Sequence, residues 1–225
     1  MSNNWEMVIG LEVHAQLKTT SKLFSSSPNL FGSEPNENVN FIDSGMPGML
    51  PVLNWVCIEK AIKTGFALNF TINKHSVFER KNYFYPDLPQ GYQISQFEFP
   101  ILSEGYLDID QSDGSTKKIR IERAHLEQDA GKSIHDIDPK FSFIDLNRVG
   151  TPLLEIVSYP DLSSAEDVVN YMSSLRQTLM YIDVCDGNMQ EGSLRADVNL
   201  SVRKPGGELG TRCEIKNLNS FKFIR

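Results

Sequence analysis

Residues 5–18 read WEMVIGLEVHAQLK, and the alternation within them decides the fold class. Trp5, Met7, Ile9, Leu11, Val13, Ala15 and Leu17 fall on one parity; Glu6, Glu12, His14, Gln16 and Lys18 fall on the other. A period of two over this length describes a β-strand with one buried face. It sets Glu12 and His14 side by side on the polar face. Working outward, the pattern returns at KKIRIERAHLEQD (117–129), where Ile119 and Ile121 alternate with Arg120 and Glu122. If the extended form persists there, Arg123, His125, Glu127 and Asp129 line one face. In RADVNLSVR (195–203) Ala196, Val198, Leu200 and Val202 alternate with Arg195, Asp197, Asn199 and Ser201. A Pro205-Gly-Gly207 turn then leads into TRCEIKN, where Arg212, Glu214 and Lys216 share a face; the two segments read as an antiparallel pair.

Two helices interrupt the strands. Asn54 caps WVCIEKAIKTGFAL, with Val56, Ala61, Ile62, Gly65 and Phe66 near helical spacing. Ser163–Glu166 forms a capping box, after which Val168, Val169, Met172, Leu175, Leu179 and Met180 recur at helical intervals. Residues 25–54, rich in Ser, Pro, Asn and Gly, read as a long loop, and Pro86 and Pro89 forbid a continuous helix in FERKNYFYPDLPQGYQISQ (78–96). Tyr83, Phe84 and Tyr85 suit either a core or a base-stacking pocket. The expectation is an α+β domain over residues 1–225, a mainly antiparallel sheet with flanking helices. The ending SFKFIR carries no helix cap or stop signal and reads as the interior of a longer subunit.

Composition narrows the function. The 225 residues carry 22 Lys+Arg against 29 Asp+Glu, a net charge of −7, which argues against indiscriminate nucleic-acid binding. The charge is uneven: Arg195, Arg203, Lys204, Arg212, Lys216, Lys222 and Arg225 outnumber Asp197, Glu208 and Glu214 in the last stretch. No apolar run approaches the ~18 residues of a spanning helix, and MSNNWEMVIG is no secretory signal. Cys57, Cys185 and Cys213 lie far apart without metal spacing, which fits a reducing, cytoplasmic compartment.

Several motifs are excluded. Ala130-Gly-Lys-Ser133 ends like a phosphate-binding loop, but that motif needs a glycine at position 126, where the chain has leucine. There is no GxGxxG, GxSxG or HExxH. What remains is a set of strand faces bearing carboxylates and imidazoles beside Arg195, Arg212 and Lys216. Hard oxygen donors with an imidazole suit Mg²⁺ or Mn²⁺, and neighbouring cations suit phosphate.

Seven segments carry a resemblance: IGLEVHAQL (9–17), PGMLPVLN (47–54), RKNYFYPDLPQGYQISQ (80–96), HLEQDAGKS (125–133), IDLNRVGTPLLEIVSYP (144–160), EGSLRADVNLSV (191–202) and EIKNLNSF (214–221). In these the chain resembles the B subunits of the aspartyl/glutamyl-tRNA amidotransferases. The resemblance implies a cradle-like domain similar to the glutamine synthetase fold, working with an amidase subunit and a small accessory subunit. It implies ATP- and Mg²⁺-dependent phosphorylation of the side-chain carboxylate of Glu or Asp mischarged on tRNA(Gln) or tRNA(Asn). Ammonia from the amidase then displaces phosphate. Carried onto this sequence, the metal set is Glu12, His14, Glu127 and Glu214, with Glu155 of the 144–160 motif added. Arg195, Lys216 and Asp197 fall on the phosphate side, and Arg80, Lys81, Tyr83 and Tyr85 are candidate nucleotide contacts. One departure is Gln128, where many members carry an acid that holds a bound water. Helical and tail domains of the family lie outside this sequence. Two other readings stand beside this one: a non-catalytic scaffold that docks amidase and tRNA, and a carboxylate–amine ligase acting on a free small molecule.

Overall fold

The computed structural model describes residues 4–224. Seven strands form one sheet in the order β11-β10-β1-β9-β6-β5-β2, with every paired neighbour antiparallel. They are β1 (Glu6–Gln16), β2 (Thr71–Ile72), β5 (Leu102–Asp110), β6 (Thr116–Gln128), β9 (Pro152–Ser158), β10 (Leu194–Arg203) and β11 (Cys213–Leu218). Two hairpins stand apart from it: β3 (Glu79–Asn82) with β4 (Tyr92–Ser95), and β7 (Lys132–Asp138) with β8 (Phe141–Asp145). The helices are α1 (Trp55–Ala67), α2 (Ala165–Tyr181) and the short α3 (Phe221–Ile224). The α+β expectation holds.

One face of the sheet is the core. Ile9, Leu11, Val13 and Ala15 of β1, Leu154 and Ile156 of β9, and Leu194 and Ala196 of β10 pack with Val168, Met172, Leu175 and Leu179 of α2. Each Val, Leu, Ile or Met among them stabilises by about 1.5–3 kcal/mol when taken fully out of water, and the two alanines by less. Trp5 and Met7 break the expected pattern and are exposed, because β9 flanks β1 only from Glu12 onward. Met180, at the end of α2, is likewise exposed.

The helix starts form close to the expected places. Asn54 Oδ1 accepts the Val56 N–H at 3.0 Å. The α2 cap is Ser164, one residue later than the capping box predicts: its Oγ accepts from Asp167 N. Asp167 in turn accepts from the Ser163 N–H and hydroxyl, because Lys117 already holds its carboxylate in that position. On α1 the inward face is Cys57, Ala61, Thr64 and Gly65, while Val56 and Phe66 turn outward. Gly65 packs close against β5: a Cβ there would lie 2.7 Å from Leu102 Cδ2, so a larger residue would require that side chain to shift.

A register shift positions the other face. On β6, Ile119 and Ile121 point into the core, and so do Ala124 and Leu126, which have the opposite parity. The switch is a bulge against β9 between Ile121 and Arg123, and on β5 the accompanying distortion is Glu104 at φ 52°. Without it, Arg123, His125 and Glu127 would continue the parity of the core isoleucines. The bulge turns them onto the sheet face opposite the helices.

Candidate active site

Across that face the strand register builds rows of polar side chains. His14 of β1 pairs with Arg195 on one side and Glu155 on the other, and Glu155 pairs with His125. Further along, Glu12 pairs with Asp197, and Asn199 pairs with Glu214. A polar sheet face ordinarily meets water. Here the β3–β4 hairpin covers it: Gln96 Oε1 accepts from Leu126 N, Gln93 Nε2 donates to Gln128 O, and Ser95 Oγ donates to Glu127 Oε2 at 3.4 Å. His125 and Glu127 are consequently 4% and 5% exposed.

At the centre, His14 Nε2 lies 3.5 Å from both Glu127 Oε1 and Glu155 Oε2. His125 Nε2 lies 3.2 Å from Glu155 Oε2 and 3.9 Å from Glu127 Oε2. One ligand atom each from His14, Glu127 and Glu155 falls within 4.8 Å of the others. The two carboxylates answer this crowding in opposite directions. Burial, reinforced by the charge of Glu155, pushes Glu127 up to about 7. Burial also opposes ionisation of Glu155, but the hydrogen bonds from His125 and His14 outweigh it and hold that carboxyl well below the usual range. For His14, burial favours the neutral ring, yet the hydrogen bond to Glu155 and the charges of Glu127 and Glu155 prevail and its pKa rises.

Two cavities open onto this centre and share Glu12, Lys81, Glu127 and Glu155 in their walls. One, of about 370 Å³, lies between the β3–β4 hairpin and β6, with Arg80, Gln96, Phe97 and Arg123 around it. The other, of about 350 Å³, is walled by His14, Tyr83, Asp129, Arg148, Arg195, Asp197 and Lys216. Asp129 accepts from Arg195 at 3.1 Å and holds its guanidinium at the rim. Glu12 Oε1 accepts from Asn199 Nδ2.

The expected site residues therefore divide. Glu12, His14, Glu127, Glu155, Arg195, Asp197 and Lys216 converge on the centre or its cavities, as do Arg80, Lys81 and Tyr83. Glu214 and Tyr85 line neither cavity. Glu214 is exposed and paired with Lys216 at 3.0 Å, because the register sets it opposite Asn199, beyond Glu12 and Asp197. Tyr85 and Phe84 stand out at the tip of the hairpin, so a core role for them is excluded. Gln128 faces away from Glu127 and donates to Gln90, a place from which it reaches no centre ligand. Three residues at or beside the centre are absent from the expected site set: His125, Asp129 and Gln96. The first two lie on the parity that marks Glu127, and only the bulge and the hairpin reveal what they touch.

Residues 7–225 match the family model for the GatB/GatE catalytic domain. The chain belongs to that family. It is 58% identical to the B subunit of the aspartyl/glutamyl-tRNA(Asn/Gln) amidotransferase of Dinoroseobacter shibae, over 99% of this chain and 46% of the relative. The identically named protein of Methylorubrum populi is 60% identical over 99% of this chain and 45% of its own length. The chain thus spans about half the length of the curated relatives it matches. Every residue of the centre lies inside the range matched to the GatB/GatE catalytic domain. Among the described residues no helix is long and apolar enough to cross a membrane.

Proposed function

We propose that this chain is the carboxylate-activating part of a cytoplasmic tRNA-dependent amidotransferase. Its acceptor is the side-chain carboxylate of Glu or Asp esterified to a tRNA, and its energy source is ATP. The carboxylate oxygen attacks the terminal phosphorus and ADP leaves, giving an acyl phosphate. Ammonia from a partner amidase then attacks the acyl carbon, phosphate leaves, and the amide remains. A free carboxylate is a poor acceptor for ammonia, whereas an acyl phosphate carries a good leaving group.

The observation that carries this reading is the desolvated triangle of His14, Glu127 and Glu155 between two cation-lined cavities. Its donor set fits a divalent cation: one imidazole nitrogen and two carboxylates converge, and without a cation between them Glu127 is driven to about 7. His14, Glu127 and Glu155, with Glu12 beside them, would hold Mg²⁺. When bound, the ion neutralises charge on the transferring phosphoryl group. The chain's own cations complete that work. Arg80, Lys81 and Arg123 face the phosphates from the hairpin side, and Arg195, fixed by Asp129, steadies the acceptor side. The hairpin excludes water from between them. A docking scaffold has no use for two carboxylates stripped of water at one point, which disfavours that alternative.

The test uses the full-length subunit assembled with its amidase and accessory partners. His14→Ala and Glu127→Ala each lower ATP-dependent amide formation on the charged tRNA by about a thousandfold, the scale set for charge stabilisation in a water-excluded site. Glutamine hydrolysis by the amidase persists. Full amide formation by the double variant overturns the assignment.

A further inference from the structure

Glu155 sits in the middle of a row that crosses three strands. On β9 it is paired in register with His14 of β1 on one side and with His125 of β6 on the other. Residues directly opposite on neighbouring antiparallel strands have Cβ atoms about 5 Å apart, close enough for their side chains to meet. Both rings turn the same atom toward one oxygen. His14 Nε2 lies 3.5 Å from Glu155 Oε2, and His125 Nε2 lies 3.2 Å from it.

The two histidines are not equivalent. His14 lines the acceptor-side cavity and completes, with Glu127 and Glu155, the set whose ligand atoms converge. His125 stands outside that set and lines the other cavity. It is nearer than His14 to Glu155 and farther from Glu127, at 3.9 Å against 3.5 Å. An ionised carboxylate only accepts, so His125 Nε2 is the donor in the 3.2 Å contact. Its Nδ1 has no partner among the described residues, although the residue is only 4% exposed. The contact with Glu155 is thus the short polar contact that fixes this ring.

The chain around His125 keeps that contact in place. The bulge between Ile121 and Arg123 turns the residue onto this face, and the neighbouring Leu126 N–H donates to Gln96 Oε1 at the end of the covering hairpin. Without His125, Glu155 is drawn by His14 and repelled by Glu127, and neither settles where its carboxylate comes to rest. We propose that His125 is a positioning residue: its Nε2–H holds Oε2 of Glu155 and so presents that carboxylate to the cation shared with His14 and Glu127. The inference rests on the reading under Proposed function and names the residue that presets the site for its metal. Hydrogen-bond partners of metal ligands are worth about ten- to a hundredfold in metal affinity.

The experiment uses the full-length subunit assembled with its partners, without nucleotide, and Mn²⁺ as a paramagnetic probe of the Mg²⁺ site. Binding is read from the loss of the free-ion resonance. Two amides separate reach from polarity: a glutamine nitrogen extends about as far as Nε2, an asparagine nitrogen only as far as Nδ1. His125→Asn weakens Mn²⁺ binding about ten- to a hundredfold, whereas His125→Gln stays within about threefold of the native complex. His125→Phe, which fills the space without a donor, behaves as the asparagine variant does. The Mg²⁺ concentration that half-saturates amide formation rises in the same order. A crystal structure of the EDTA-treated complex supplies a readout that needs no metal: the Glu155 carboxylate swings away in the asparagine variant and keeps its place in the glutamine variant. Equal Mn²⁺ affinity in those two variants, whether high or low, overturns the assignment. A shared loss would mean that His125 binds the ion itself or only fills space. If the native complex makes no amide with ATP, yet Glu155 moves in the asparagine variant alone, the positioning role stands and the proposed activity fails.

Discussion

Lys22 and Glu127 are both charged side chains taken almost wholly out of water, at 0% and 5% exposure. Their surroundings differ in kind. Lys22 Nζ donates to Asn38 O at 2.7 Å and to Asp43 Oδ2 at 3.1 Å. Asp43 also accepts from Ser25, Ser27 and the Asn40 N–H, so every oxygen of the pair is satisfied by an ordinary hydrogen bond. Around Glu127 the contacts are longer, and two carboxylates compete for two imidazoles. His125 Nδ1 and Gln96 Nε2 find no partner among the described residues. The first cluster is closed and anchors the 25–54 loop. The second is open: its polar groups lack the full set of hydrogen bonds that closes the first.

Breaking the closed cluster gives the largest expected effect on stability. Lys22→Ala strands Asp43 in a dry site and costs about 3–5 kcal/mol in a denaturant titration. Lys22→Met combined with Asp43→Asn recovers part of the loss, since no lone charge remains. If the single change costs under ~1 kcal/mol, Lys22 is not the anchor of the loop.

The open cluster responds the other way. Glu127→Gln removes a like charge from beside Glu155 and keeps the shape, so in EDTA-treated protein it leaves stability unchanged or raises it by up to ~1 kcal/mol. If the centre holds Mg²⁺ as proposed, added Mg²⁺ stabilises the native protein and the same substitution removes that gain. A loss comparable to that of Lys22→Ala would erase the distinction between the two clusters.

The sequence carried unequal information about these regions. The alternation in β1 and β10 set the faces of the central strands, because each runs without interruption from Ile9 and from Leu194. It could not show that Arg123, His125 and Glu127 leave the face of Ile119 and Ile121, since a bulge adds one residue without altering composition. Lys22 stood out in no motif. Its partners are scattered through a loop without periodicity, and only folding brings Asn38 and Asp43 to it. On α1 the apolar spacing finds Ala61 and Gly65 on the inward face, but not that Cys57 and Thr64 join them while Val56 and Phe66 turn outward. Residue type announced the centre, but long-range contacts built its cover.

Asp167 offers an intermediate case and the smallest effect. Burial opposes its ionisation, but the hydrogen bond from Lys117 and those from Ser163 outweigh it and depress its pKa. A folded-state value below the unfolded one means that the unfolded chain binds the proton first as pH falls. The stabilisation is therefore complete at neutral pH, and it drains away on acidification below the ordinary carboxylate range. Asp167 joins β6 to the start of α2 through Lys117, so the acid limb of a stability–pH curve reports that junction. Asp167→Asn lowers stability at pH 7 and removes its share of the acid slope, so the native and variant curves converge as pH falls through the depressed pKa of Asp167. The Ser163 contacts remain available to an asparagine oxygen, which keeps the loss at neutral pH to about 1 kcal/mol. Parallel curves for the two proteins would mean that Lys117 contributes no charge pairing, and that α2 is held to β6 by its apolar face alone.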